Sequence, residues 1–483
     1  MIHNRHFILS RDAHHIGDDW MSMRLKNGFI LSYQKNLHYI CNQDNSIVII
    51  GDAWQVNKGE RSPKEIIQSL ETKEKHDLTY IDCCEESWNG RYVLITGDYI
   101  SLDAVGAYGV YFTDETISSS ISLICEVENR TAVYPDIKWG DFPDFVPGPQ
   151  TPIYGVKRVM PSQRFNYVNH EISYRYFLNT VSTVNTVPVL LKELKSMFDT
   201  SLRNMYVHFG MKPIWLALTG GKDSRTALVF LKRIGIPFKT FTFVYSDASR
   251  EDANIAHYVA ARIGVEHHTI VLDESRLSSV LSEQYKAHTM MMNVDGESVQ
   301  IPYGMYDDLQ GLAYGDFLLL RNNAWESIMD YFSAFMDTPE SMIDTLRANG
   351  KNDSSIDEWM SWVANDSLNA DLSMWDRIFW EQREGCWLSA IEQSLELLEP
   401  MTSVQMCNCR RILSYLHAFP YEMRRNKAAN VELINSIQPT LRYIPFNGEL
   451  HTNEPVWRGM IRKRYPELWR VMKACKNKLT IND

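Results

Sequence analysis

No stretch of the 483-residue chain approaches the roughly 18 uninterrupted apolar residues of a membrane span. The opening "MIHNRHFILSRDAHHIGDDW" carries no secretory h-region, so the expectation is a soluble, cytoplasmic protein with no membrane partner. Cysteine is scarce and badly spaced for metal or disulfide frameworks. The eight residues Cys41, Cys83, Cys84, Cys125, Cys386, Cys407, Cys409 and Cys475 contain no Cys-x-x-Cys pair, and Cys407-x-Cys409 has no His-x-His counterpart nearby. Reduced, mostly buried thiols are expected. An excess of positive charge is missing too: 49 basic against 60 acidic residues give a net charge of −11, which argues against general affinity for nucleic acid or anionic membranes. Neither the G-x-x-x-x-G-K-[ST] phosphate loop nor the dinucleotide G-x-G-x-x-G can be fitted. No internal repeat or low-complexity tract stands out.

What is present is an ordinary globular composition, 45% hydrophobic and 23% charged, with length enough for two or three domains. Residues 1–185 read as a β-rich sandwich. Short runs such as "GFILSY", "SIVIIG", "RYVLITG", "VYFTD" and "SISLIC" are separated by turn-prone "GD", "NG" and "PGPQ", and two more runs, "FNYV" and "SYRYF", follow. The segment 178–187, "LNTVSTVNTV", reads as a linker. From residue 186 the periodicity changes. A helical pattern is followed by "PIWLALT", "DSRTALVFLKRIG", "FKTFTFVY", "REDANIAHYVAARIG" and "HHTIVLD", which is βαβαβ, the pattern of a parallel sheet covered by helices. Beyond about 275 the chain reads as mostly helical.

The stretch "LALTGGKDSRTAL" (216–228) places two glycines between a buried strand and a helix, where ligands bind in parallel sheets. Gly220 and Gly221 permit positive φ and close approach of backbone N–H groups, and the dipole of the following helix favours an anion. Thr219 and Ser224 add hydroxyl donors. Asp223 makes sense if Mg²⁺ accompanies a phosphate chain; the bland alternative is a tight turn capped by Asp223 or Ser224.

Thr219-Gly220-Gly221-Lys222-Asp223-Ser224 resembles the S-G-G-x-D-S loop of enzymes that split ATP between its α- and β-phosphates, with Thr for the first Ser. With that loop in place, "SLDAVGAYGVYF" (101–112), "TPIYGVKRVMPSQRFNYV" and "TFTFVYSDASREDANIAHYVAARIGVEHHTI" are similar to segments of the asparagine synthetase family, over nearly the whole chain. The resemblance implies an α/β protein with an N-terminal glutaminase-like (Ntn-type) sandwich over 1–185. An ATP-pyrophosphatase domain of the adenine nucleotide alpha hydrolase-like kind, with a helical C-terminal part, would occupy 186–483. It implies ATP and Mg²⁺ as cofactors, ATP on Leu218, Thr219, Gly220, Gly221, Lys222, Asp223 and Ser224 with adenine against Phe243 and Val244, and metal ligation by Asp223. Family members expose a first-residue cysteine as glutaminase nucleophile, whereas Met1 is followed here by Ile2; the expectation is therefore that glutamine is not hydrolysed.

Members with that loss, the β-lactam synthetases and lasso-peptide macrolactam synthetases, adenylate a carboxylate and use an amine already on the substrate. "GLAYGDFLLLRNN" (311–323) falls where the family has a second phosphate-side motif, so Tyr314, Gly315 and Asp316 are candidates, Tyr314 as part of a base, Gly315 toward the nucleotide and Asp316 toward the metal. A packed aromatic is the equal alternative for Tyr314. A phenol needs a carboxylate partner to act as a base near neutral pH. Glu381 and Glu384, three residues apart in "MWDRIFWEQREGCWLSAI", are the candidates, with Glu381 preferred and a solvated charged face as the alternative. The family's R-x-K loop has no clear match, leaving its catalytic lysine unassigned, with Arg442, Arg458 and Lys463 as neighbouring cations. The resemblance implies an AMP-forming amide synthetase whose partner is a carboxylate substrate, a precursor peptide among the possibilities; an oligomer stays open. Intermolecular amidation of a glycan or small acid, activation of a nucleobase, and a non-catalytic nucleotide-binding relative are the rivals.

Overall fold

A computed structural model describes residues 5–57, 63–71, 77–131, 146–175, 186–273, 303–334, 336–349, 354–365, 372–395, 400–450 and 454–471. Among the described residues twelve strands come first: β1 (Phe7–Ser10), β2 (Trp20–Arg24), β3 (Ile30–Gln34), β4 (Tyr39–Cys41), β5 (Ile47–Gln55), β6 (Trp88–Thr96), β7 (Tyr99–Leu102), β8 (Tyr111–Phe112), β9 (Ile117–Ser118), β10 (Lys157–Arg158), β11 (Gln163–Asn166) and β12 (Glu171–Tyr174). They form two six-stranded antiparallel sheets, ordered β10-β8-β9-β1-β3-β2 and β12-β11-β7-β6-β5-β4. The inward residues of both, among them Phe7, Leu31, Val48, Ile50, Val93, Ile95, Leu102 and Phe165, close into one core, which makes this unit a sandwich.

It is accompanied by the helices α1 (Pro63–Glu71), α2 (Leu78–Glu85) and α3 (Ile121–Glu128). The last corrects a sequence expectation, since "SISLIC" reads as a strand but folds as a helix from Ile121. Such a short apolar run carries no decisive period. Ile121, Ser122, Leu123 and Ile124 are all buried, and Asn129 ends the helix in the left-handed region at φ 52°.

The second unit opens with α4 (Val187–His208) and continues as β13 (Ile214–Ala217), α5 (Lys222–Ile234), β14 (Phe238–Val244), α6 (Asp247–Ile263) and β15 (His267–Val271). Here the expected βαβαβ order is what the chain adopts. Gly235 and Gly264, at φ 74° and 65°, stop α5 and α6, and a reciprocal Ser246–Ser249 capping box starts α6. The region beyond 275 was expected to be mostly helical, yet it contributes two further parallel strands, β16 (Phe317–Arg321) and β17 (Met401–Gln405). The sheet order is β15-β14-β13-β16-β17. Buried "FLLLR" and "MTSVQ" are too short to announce themselves among long helical patterns.

The two units share a core: Trp54, Val105 and Met160 pack in one cluster with Leu194, Phe198 and Leu228. Trp54 Nε1 donates to Ser201 Oγ at 2.9 Å and Asn204 Nδ2 to the Gln55 carbonyl at 2.8 Å. Residues 176–185, most of the expected linker and the boundary at 185/186, lie outside the described residues, as does Cys475. Among the described residues Cys41, Cys83, Cys84, Cys125, Cys386, Cys407 and Cys409 form no disulfide, and of these Cys386, Cys407 and Cys409 are buried. Among the described residues no helix is long and apolar enough to cross a membrane.

Candidate active site

A cavity of about 370 Å³ opens at the carboxyl ends of β13, β14 and β16, the position at which parallel sheets receive ligands. Leu218, Thr219, Asp223 and Ser224 line it from the glycine turn, and Phe241, Phe243 and Tyr245 from β14 and its continuation. Val244 does not reach it. From β14 the cavity is lined by Phe241, Thr242 and Phe243, and Val244 is buried without lining it.

The turn is built differently from the expectation. Neither Gly220 nor Gly221 has positive φ, and Gly221 sits at φ −73°, ψ 172° as the N-cap of α5. Gly220 is closely packed instead: a Cβ there would lie 2.9 Å from both Asp252 Oδ1 and Ile255 Cδ1, so those side-chain ends would have to shift. Its N–H donates to Asp252 Oδ1 at 2.9 Å, and its carbonyl accepts from Asn447 N at 3.1 Å. Thr219 N donates to Ser224 Oγ at 3.1 Å, and Gly221 N to Thr219 Oγ1 at 3.2 Å. A bound anion would take over N–H groups now satisfied within the turn. Lys222 turns its side chain out of the cavity; Nζ donates to the Asn426 carbonyl at 2.8 Å and burial lowers its pKa.

The cation that meets the Asp223 carboxylate of the turn is Lys427. Its Nζ bridges two cavity carboxylates, donating to Asp223 Oδ2 and, at 3.0 Å, to Glu326 Oε1. Asn430 Nδ2 holds the other Asp223 oxygen at 3.0 Å. Burial works against the ammonium, but Asp223 and Glu326 outweigh it and raise the Lys427 pKa, so it stays charged. The residue occupies the left-handed region at φ 51° while capping the helix Ala428–Ile437. Such a conformation costs a non-glycine residue about 1–3 kcal/mol, and it persists here where two ion pairs hold the side chain. Nothing local in "RRNKAAN" signals this, because Asp223 and Lys427 are 204 positions apart.

Past β16, Arg321, Asn322, Asn323 and Glu326 complete the wall. Asn322 Nδ2 donates to the Asp223 carbonyl at 2.9 Å, and Arg321 pairs with Glu392 at 2.7 Å. Tyr306 closes the aromatic side edge-to-face with Phe243, ring centroids 5.0 Å apart, and burial pushes its phenol up to about 12. Sequence reasoning missed Asp252, Tyr306, Arg321, Asn322 and Glu326; Asp252 stood inside the quoted "SREDANIAHY" but was not singled out.

Tyr314, Gly315 and Asp316 are elsewhere. They precede β16, and since β16 runs parallel to β13 they lie at the opposite end of the sheet from the glycine turn. Tyr314 N bonds the Gln310 carbonyl, with Tyr314 at φ 52° and Gly315 at φ 104°, so the pair is the stop of the helix Tyr303–Ala313. Tyr314 is 92% exposed, and Asp316 pairs with Lys212 at 3.3 Å.

Glu381 and Glu384 are not a solvated face either; both are buried. Residues Phe379–Leu388 form wide π-type turns, which breaks the three-residue register expected to align the two carboxylates. Glu381 accepts from Ser162 N at 2.9 Å and Trp359 Nε1 at 3.2 Å, which makes it a tie between the helical stretch and the sandwich unit. Glu384 lies behind the cavity wall, close to Ser327 and Glu326. Burial pushes both carboxyls up to about 8.

Residues 196–302 match the family model described as asparagine synthase. Over 174 residues, 34% of this chain and 77% of the relative, the sequence is 25% identical to the 7-cyano-7-deazaguanine synthase of Staphylococcus saprophyticus subsp. saprophyticus. Among solved structures, glutamine-dependent NAD⁺ synthetase from Acinetobacter baumannii in complex with ADP is similar at 14% identity and a TM-score of 0.22, over 48% of this chain and 34% of that one. NMN synthetase from Francisella tularensis is similar at 14% identity and a TM-score of 0.20, over 54% and 95%. The chain thus spans about a third of the length of the NAD⁺ synthetase. The glycine turn, β14 and α6, which wall the cavity on one side, lie inside the asparagine synthase-like segment.

Proposed function

We propose that the protein is an ATP-dependent carbon–nitrogen ligase that adenylates a carboxylate with release of pyrophosphate and passes the acyl group to an amine with release of AMP. The observation that carries this reading is the S-G-G-x-D-S-like turn at the carboxyl end of β13, with Asp223 bridged through Lys427 to Glu326 across a nucleotide-sized cavity. Phe241, Phe243 and Tyr306 offer an apolar slot for adenine. The α5 N-terminus and Lys427 would face the phosphates, so the protein contributes positioning and electrostatic stabilisation of the charge on the leaving pyrophosphate.

Asp223 and Glu326 fit a Mg²⁺ accompanying the phosphates: they are two hard oxygen donors converging on one cation, the Lys427 ammonium. Mg²⁺ would supply neutralisation of phosphate charge. Asp316, at the far end of the sheet, does not fit that role. The acyl acceptor we favour is an amine on the same substrate, closing a lactam or macrolactam. An amine or ammonia acting on a glycan or small acid would use the same first half-reaction.

The test is substrate-dependent exchange of labelled pyrophosphate into ATP, screened over carboxylate classes. Exchange together with AMP formation is expected. ADP and orthophosphate as the only products would overturn the reading, and exchange driven by a nucleobase rather than an acid would replace the acyl group with that substrate.

A further inference from the structure

We propose that His38 Nδ1, the Asp52 carboxylate and His208 Nε2 form a binding site for a divalent transition-metal ion, with zinc the best chemical match, at the joint between the sandwich and the parallel-sheet unit. The three come from three elements: His38 from the turn between β3 and β4, Asp52 from β5, and His208 from the last turn of α4. Their ligand atoms all lie within 4.8 Å of one another. His38 Nδ1 stands 2.5 Å and His208 Nε2 2.8 Å from the same oxygen, Asp52 Oδ1.

Two imidazoles and one carboxylate form a nitrogen-rich donor set that suits Zn²⁺ and disfavours Mg²⁺ or Ca²⁺. Three protein ligands leave a fourth position, and the site opens on a cavity of about 410 Å³ bordered by Arg5, Tyr108, Lys212 and Thr402. Arg5 and Lys212 oppose a bare dication, but they favour one whose fourth ligand is an anion such as hydroxide or a carboxylate, and Lys212 is already paired with Asp316. The site is separate from the nucleotide cavity, because His208, Lys212 and Thr402 belong to the amino ends of β13 and β17, opposite the glycine turn.

The present contacts are hydrogen bonds, which are tighter than the spacing of two ligands on one ion. With metal bonds of about 2.0–2.1 Å, tetrahedral ligand atoms sit roughly 3.4 Å apart, so His38 and His208 must each withdraw by about 0.5–1 Å. His38 can do so, since it is exposed on a turn. His208 is better fixed, against Trp54 and edge-on to Phe209 at 4.9 Å. On binding, each ring presents a lone pair to the metal, its N–H moves to the other ring nitrogen, and any imidazolium proton leaves to solvent.

The experiment uses the full chain stripped with a chelator and titrated with Co²⁺, followed by visible d–d absorption and displacement by Zn²⁺. One equivalent is expected to bind, with His38→Ala and His208→Ala each weakening it at least tenfold and Zn²⁺ raising the melting temperature of the wild type but not of His38→Ala. His38 is a surface side chain, so that variant should fold, and Asp52→Asn, which keeps the carboxylate's shape, should weaken binding as well. Absence of a d–d band at one equivalent would overturn the proposal. So would wild-type affinity in both histidine variants, or loss of binding on Asp223→Asn, which would assign the ion to the nucleotide cavity.

Discussion

The two ends of the five-stranded sheet contrast sharply. At the carboxyl ends, the glycine turn, Asp223, Lys427 and Glu326 converge on one cavity. At the amino ends, the Tyr314-Gly315 turn merely stops a helix, and Asp316 forms an ion pair with Lys212 that is partly exposed on both sides. From sequence both stretches are expected beside the nucleotide, and strand direction separates them. In a parallel sheet, residues after a strand can meet the ligand, whereas residues before it are a full strand length away. Around β16 the cavity therefore receives Arg321, Asn322, Asn323 and Glu326 instead of Tyr314, Gly315 and Asp316.

The contrast is most exposed to failure at Lys427. Lys427→Met leaves Asp223 and Glu326 without their shared partner and removes the cation proposed to face the phosphates, so on the proposed function turnover should fall by about 10²–10³, or roughly 3–4 kcal/mol. Pyrophosphate–ATP exchange reads this directly, and a variant within threefold of wild type would show that the bridge serves the fold alone.

Gly220→Ala comes next. The added methyl must displace Asp252 or Ile255, an overpacking cost of about 1–3 kcal/mol. Urea unfolding should show that loss, and MgATP affinity should fall with it. A neutral result would mean that α6 has slack against the turn.

Glu381 supplies a pH test that sets structural against catalytic carboxylates. Its folded pKa of about 8 exceeds the ordinary 4.5, so over that window the folded state keeps a proton that the unfolded chain has released. The stability is fully present below 4.5 and declines as pH rises toward 8, by at most about 1.4 kcal/mol per pH unit. Glu381→Gln should reduce the slope measured at pH 6, 7 and 8, with Glu384, raised in the same way, supplying part of what remains. An unchanged slope would mean that Glu381 ionises normally.

The smallest effect expected is at Tyr314. Tyr314→Phe should alter stability by less than about 0.5 kcal/mol and leave turnover unchanged, because its ring is almost wholly in solvent. Tyr306→Ala, which removes the ring that closes the aromatic side of the cavity, should raise the KM for ATP. If the two results were exchanged, the assignment of the two ends would be reversed.

The amino-acid sequence by itself determined the local pieces of this protein. The alternating runs of the sandwich, the βαβαβ order from β13 to β15, and the Thr219–Ser224 turn between a buried strand and a helix are periodic or contiguous patterns, read within a dozen residues. Tertiary structure decided what those pieces meet. Lys427 reaches Asp223 across 204 positions, and Asp252 closes on the Gly220 N–H across 32. Glu381, on an apparently charged helix, is buried against Ser162, 219 positions away. Strand order, strand direction and the partners of buried charges depend on contacts between distant segments, and local propensity carries no information about which distant segment will arrive.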